Sequence, residues 1–222
     1  MYDNQSITGT RGRESVLATN KVLRNTYMLL SLTLLFSGVT AYLGMKSGHM
    51  LGFLPTILIY FGLLFATEKT ADSGWGLVFV FALTGFLGYT LGPILSFYLH
   101  TPQGAHLVMT ALGGTGVIFL GLSGYALTTR KDFSFLGGML VTGILIAFLA
   151  GLGAFVFNMP GLSLAVSAMF ILLMSGLILF QTSQIIHGGE TNYIRATVTL
   201  YVALYNLFLS LLRILSAFSG RN

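Results

Sequence analysis

The chain contains seven long runs of apolar residues, at 27–45, 50–66, 75–97, 106–127, 136–157, 162–186 and 196–217, and among them only the last holds a charge, Arg213. Crossing about 30 Å of hydrocarbon at 1.5 Å per residue takes roughly 20 residues. A peptide group left unpaired in lipid costs several kcal/mol, so such runs read as α-helices. The period-two alternation of a membrane barrel is absent. Charged residues make up 8% of the chain, against about 25% in a soluble domain, so the surrounding solvent must be lipid. The expected fold is an all-α, polytopic membrane protein with seven transmembrane helices. The second run is the shortest and contains Pro55. The first reads as a retained span, because its polar lead is long and no small-x-small cleavage pattern follows it.

The absence of cysteine excludes disulfides, thiol nucleophiles and cysteine-held metals. The net charge of +5 does not point to nucleic acid, since the basic residues lie at the ends of the spans. With the N-terminus inside, Arg11, Arg13, Lys21, Arg24, Lys69, Arg130, Lys131 and Arg195 face the cytoplasm, and Lys46, Arg213 and Arg221 face the other side. The positive-inside rule therefore puts the N-terminus in the cytoplasm and, after seven spans, the C-terminus outside. Three regions are expected: a cytoplasmic tail at 1–24, a transmembrane domain at 25–218 and a short tail at 219–222. Residues 1–20 read as disordered, either a solvated leader or a handle for a cytoplasmic partner.

The last run carries a narrow stripe at steps of three and four: Ala196, Thr199, Ala203, Asn206, Ser210, Arg213 and Ala217. This spacing is one helix face. Helices in lipid associate through close approach and hydrogen bonds, so the stripe is expected to face protein and to place the seventh helix inside the bundle. Asn206 needs partners there, either a packing hydrogen bond between helices or a polar path for a solute or ion. Arg213 is expected to snorkel to the interface. Gly85, Gly88 and Gly92 in TGFLGYTLGP form a small face suited to packing, with Pro93 kinking or ending the regular helix. GGTGVIFLGLSG thins the fourth span in the same way.

Between the last two runs lies FQTSQIIHGGETNYIR. Gln181, Gln184 and His187 drift along one side of the sixth helix, and Gly188-Gly189 stops it through a left-handed cap. Thr191 or Asn192 can cap the next helix. Two functional readings stand beside that of a plain connection. One is a gate lined by Gln181, Gln184, His187, Ala203, Asn206, Ser210 and Arg213. The other is partner contact through His187, Glu190 and Arg195, together with Arg11 and Arg13. A metal site is not expected, because His187 and Glu190 lack a third ligand, and no cofactor is expected. Gly121-Leu122-Ser123-Gly124 has the form of an intramembrane serine protease motif. The serine would need a base such as His187 within reach, and the rest of that pattern is missing, so no enzyme is expected.

KVLRNTY, TGFLGYTLGPIL, TTRKDFSFLGGM and IIHGGETNYIRATV, in that order over Ala18 to Phe218, resemble the YccA branch of the Bax inhibitor-1 family. The resemblance implies six helices wrapped around a central seventh, and a role as client or modulator of FtsH, a membrane-anchored ATP-dependent protease. It also implies an alternative, a calcium or proton leak of the kind described for some family members, with calcium as a partner; their paired aspartates fall here on Gln181 and Ala203. Neither residue can carry charge, so the acid pair that would draw calcium cannot form in this chain and the alternative would need another route.

Overall fold

A computed structural model describes residues 5–49 and 51–219, with side chains from Asn20 onward. The elements are α1 (Gln5–Ser47), α2 (Phe53–Thr70), α3 (Trp75–Leu99), α4 (Gly104–Thr129), α5 (Leu136–Val156), α6 (Pro160–His187) and α7 (Tyr193–Ser219). All seven are long and apolar enough to cross a membrane, α1 over Asn20–Ser47. The prolines explain two of the starts. Pro55 and Pro160 sit in the first turns of α2 and α6, where the missing N–H has no helical partner to lose. Pro55 thus begins the short second span rather than breaking it.

The polar leader departs from the expected disorder, because α1 is helical from Gln5. Once the apolar span has formed, each further residue adds one hydrogen bond without a new nucleus, and no proline interrupts the leader. Its 43 residues would measure about 65 Å as a straight helix, roughly twice the hydrocarbon thickness. Residues 220–222 of the expected C-terminal tail lie outside the described residues.

α7 is the hub. It packs against α1, α3, α4 and α6, while α2 lies on α3 and α5 on α6. The ring around it is therefore four helices, with two more outside. In α7, 50% of the most apolar stretch is buried, against 6% in α2. Ala196, Ala203 and Ser210 of the small-residue stripe are buried, as expected. So are Leu200, Tyr201, Leu204, Leu207 and Phe208, because a central helix meets protein on more than one side. Thr199, Asn206 and Ala217 are half-buried, and Arg213 is exposed.

The crossing of α1 and α3 positions everything else. A side chain on Gly88 would overlap Thr40 and Ser37, one on Gly92 would strike the Gly44–Met45 backbone, and one on Gly85 would meet the Phe36 ring at 2.6 Å. The glycine face of α3 is thus a packing face. α3 continues through Pro93 to Leu99 instead of ending there. The ring removes the N–H that would have bonded Tyr89, and the freed Tyr89 carbonyl abuts the Cα of Gly44. The close backbone approach suits a weak Cα–H···O contact.

Candidate functional site

The polar groups concentrate where α6 ends and α7 begins. Gly188 takes the left-handed conformation (φ 76°), and Gly189 N and Glu190 N donate to Gln184 O at 2.9 and 3.1 Å. Asn192 caps α7: its Oδ1 accepts from Ile194 N (2.8 Å) and Arg195 N (3.3 Å). Its Nδ2 reaches across to Ala71 O (2.9 Å) and Asp72 Oδ1 (2.8 Å). Glu190 Oε1 accepts from Asn192 N at 2.8 Å and so shapes the same turn.

Arg195 completes this first clamp. Its Nη2 donates to Asp72 Oδ2 at 3.0 Å. Its Nε lies 2.8 Å from Glu68 Oε1, at ion-pair distance but without hydrogen-bond alignment. The acid side chains are 63% and 76% exposed. Each pair contributes at most about 1 kcal/mol, and the clamp's strength lies in the shared network. The last turn of α2 and the turn after it are thereby fastened to the start of α7.

A second clamp fastens the α4–α5 connection to α6. Arg130 ends α4 in the left-handed region (φ 49°). His187 places Nδ1 2.9 Å from Ser183 O and Nε2 3.1 Å from Arg130 O. A neutral ring has one N–H and serves one of these carbonyls; an imidazolium serves both. Phe133 N donates to Ser183 Oγ (3.0 Å), which donates to Lys131 O (3.3 Å). Gln184 Nε2 donates to Ser134 Oγ (2.9 Å), and that hydroxyl donates in turn to Asp132 Oδ1. Hydrogen bonds from the Ser134 side chain and backbone hold the Asp132 carboxyl below its ordinary range.

The other expected site residues are dispersed. Gln181 is buried, and its Nε2 has no hydrogen-bond partner. Ala203 is fully buried. Asn206 Nδ2 donates to Val202 O of its own helix at 2.9 Å, so the packing bond between helices gives way to a local one. Ser210 is buried. Arg213 Nη1 donates to Ser163 Oγ at 2.8 Å, at the opposite end of the bundle. The Arg11 and Arg13 side chains lie outside the described residues. Ser123 is buried beside Thr182, with the hydroxyls 3.4 Å apart, while His187 is engaged by Ser183 and Arg130. The protease-like serine and the candidate base are not joined. Among the described residues, no three His, Cys, Asp or Glu side chains gather as a metal set.

Sequence reasoning missed the clamp partners Glu68, Asp72, Ser183 and Ser134. Glu68 and Asp72 had a readable signal, two acids four apart at a helix end, which share one helical side. It also missed a buried hydroxyl relay. Tyr201 OH donates to Thr84 O (3.1 Å), so the Ser37 hydroxyl, 2.6 Å away, donates to Tyr201. This relay joins α1, α3 and α7.

The family model described as Inhibitor of apoptosis-promoting Bax1 matches residues 19–220. The chain belongs to the Bax inhibitor-1 family. Within it, the chain lies in the YccA branch. It is 53% identical over 219 residues to an Escherichia coli K12 protein named Modulator of FtsH protease YccA, covering 97% of this chain and 98% of that one. An uncharacterised protein of Pseudomonas aeruginosa is 52% identical over 200 residues, covering 90% of each chain. An uncharacterised membrane protein of Vibrio cholerae is 43% identical over 217 residues, covering 97% of each. In this member of the Bax inhibitor-1 family, Gln181 and Ala203 are both buried and carry an amide and a methyl group. Neither offers a carboxylate to a cation.

Proposed function

We propose that this protein is a non-enzymatic modulator of the FtsH protease in the bacterial inner membrane, with its N-terminus in the cytoplasm and its C-terminus in the periplasm. The observation that carries the reading is 53% identity, over nearly the full length of both chains, to the E. coli protein named for that role. A further name in the same relationship, Inner membrane protein YccA, supports the location.

The physical reading is a grip that meets resistance. A processive protease pulls on a segment outside the membrane, and α1 extends beyond its span to Gln5. An isolated helical extension is marginal and frays readily, so it offers a handle. Force on that handle reaches α1, which is locked against α3 at Gly85, Gly88 and Gly92 and tied to α7 through Ser37 and Tyr201. A chain that is easily seized and hard to extract occupies the protease. The two clamps hold the loops at the α6–α7 end in one arrangement and give the partner a fixed surface, with Glu190 and the half-exposed Arg195 at its edge.

The test is co-purification with FtsH in mild detergent, together with the half-life of an FtsH membrane substrate. Deletion of residues 2–14 should weaken association and shorten that half-life toward the value without this protein. Unchanged association and unchanged turnover would overturn the assignment of the N-terminal segment. Failure of the intact chain to associate at all would overturn the reading itself.

A further inference from the structure

A cavity of about 460 Å³ lies between α1, α3, α4 and α7, with Gly38, Leu95, Gly116 and Leu204 among its walls. It falls within the membrane-spanning parts of all four helices. α1 and α4 form its side walls but are not among the extensively packed helix pairs. Their aromatic rings Tyr27 and Phe119 meet at 5.8 Å between centroids, and beyond that contact a slot opens. Its rim residues Leu34, Tyr42 and Leu112 are 41%, 54% and 52% exposed.

Gly38 and Gly116 stand on the two side walls, and a side chain added to either would meet nothing within 4 Å. In lipid, helical glycines commonly serve close approach between helices. Here they have no neighbour to approach, and their effect is to keep the slot wide. The four inner hydroxyls are already satisfied. Tyr201 donates to Thr84 O, Ser37 to Tyr201 and Thr115 to Ala111 O. Thr90 Oγ1 donates to Leu87 O, so Tyr205 donates to Thr90, 3.3 Å away. An occupant therefore leaves none of these protons unpaired even if it carries no polar group.

We infer that this cavity is a binding slot for one acyl chain of a bilayer phospholipid, entered sideways between α1 and α4. The volume falls within the range of small-molecule sites, about 300–1,000 Å³. Apolar walls with spent hydroxyls give water too few partners to stay, and interiors close to crystal density do not keep voids of this size. The medium at the mouth is hydrocarbon, which fits the walls. Lys46 sits at the end of α1, its ammonium 4.8 Å from the centre of the rim residue Tyr42. It places a positive charge where the phosphate of the bound lipid would lie. The slot is independent of any partnership with FtsH.

The experiment uses the full chain in nanodiscs containing a phospholipid with a photoreactive diazirine in mid-chain. Peptide mapping after illumination should find adducts on the peptides of Leu34–Tyr42 and Leu112–Phe119. Double substitution Gly38→Leu/Gly116→Leu should cut those adducts at least about fivefold by filling the slot. Labelling at the outward-facing Leu58 and Leu172 should be unchanged, and a melting temperature by circular dichroism within a few degrees of wild type shows that the variant is folded. Wild-type protein, exchanged through lipid-free detergent, should retain one phospholipid per chain in native mass spectrometry. Adducts at the slot that are indifferent to filling, labelling of the slot by a water-soluble carbene reagent instead, or retention of no phospholipid would each overturn the assignment.

Discussion

α3 and α4 both carry the closely spaced glycines that mark helix packing in membranes, and they use them in opposite ways. On α3, Gly85, Gly88 and Gly92 press against α1 so closely that a side chain at any of them would overlap it. On α4, Gly113, Gly116, Gly121 and Gly124 have nothing within 4 Å of where a side chain would begin, and Gly114 has only Leu211 at 3.5 Å. The difference follows from position. The α3 glycines lie on the face packed by α1, whereas on α4 Gly114 faces α7, Gly116 faces the slot, and Gly113, Gly121 and Gly124 face the outside of the bundle. A small-residue run permits close approach; a neighbour on the right side is what turns permission into contact.

The same substitution made on each helix breaks or sharpens this comparison most strongly. Gly88→Ala should destabilise the protein by about 3 kcal/mol through overpacking, read as a lowered melting temperature by circular dichroism in detergent. A near-neutral result would mean that α1 and α3 do not touch there. Tyr201→Phe, which breaks the relay tying α1 and α3 to the hub, should cost about 1–2 kcal/mol in the same assay. Asn192→Ala removes a helix cap and the link to Ala71 and Asp72, and should cost about 1 kcal/mol. Faster proteolysis of the α2–α3 turn should accompany it. Gly116→Ala should stay within about 1 kcal/mol of wild type, on the stabilising side, because alanine favours the helix and meets no neighbour. A loss matching that of Gly88→Ala would erase the contrast.

The smallest effect concerns pH. Asp132 is held below the ordinary carboxylate range in the folded protein by its bonds to Ser134. Such a group adds stability above its unfolded pKa, near 4, and loses it as the pH falls through the lower folded value. Ser134→Ala should therefore shrink the stability difference between pH 6 and pH 3, slightly because Asp132 is fully solvated. An unchanged difference would show that the Ser134 bonds do not hold the carboxylate.

The helices and their number were legible because hydrocarbon leaves a chain few ways to satisfy its backbone, and apolar length reports that constraint directly. The stop at Gly188 and the cap at Asn192 were also legible, being local events within a few residues. The hub was legible from the small positions of α7, although its bulky residues proved equally buried. The clamps and the relay were hidden. Ser37 meets Tyr201 across 164 residues and Arg195 meets Asp72 across 123, and no spacing rule spans such distances. The uses of Asn206 and the α4 glycines were misjudged for a related reason. Composition shows that a polar group needs a partner, or that a surface is thin, without showing what stands opposite.

The central claim is that α7 is enclosed by its neighbours. The chain has no cysteine, so single cysteines can be introduced along α7, spin-labelled in bilayers and read by electron paramagnetic resonance for collision with oxygen, which concentrates in lipid. Labels at Ala203 and Leu207 should be immobilised and poorly reached by oxygen, while a label at Leu172 on α6 should be mobile and readily reached. High oxygen collision at Ala203 and Leu207, matching that at Leu172, would put α7 on the outside of the bundle and contradict the account.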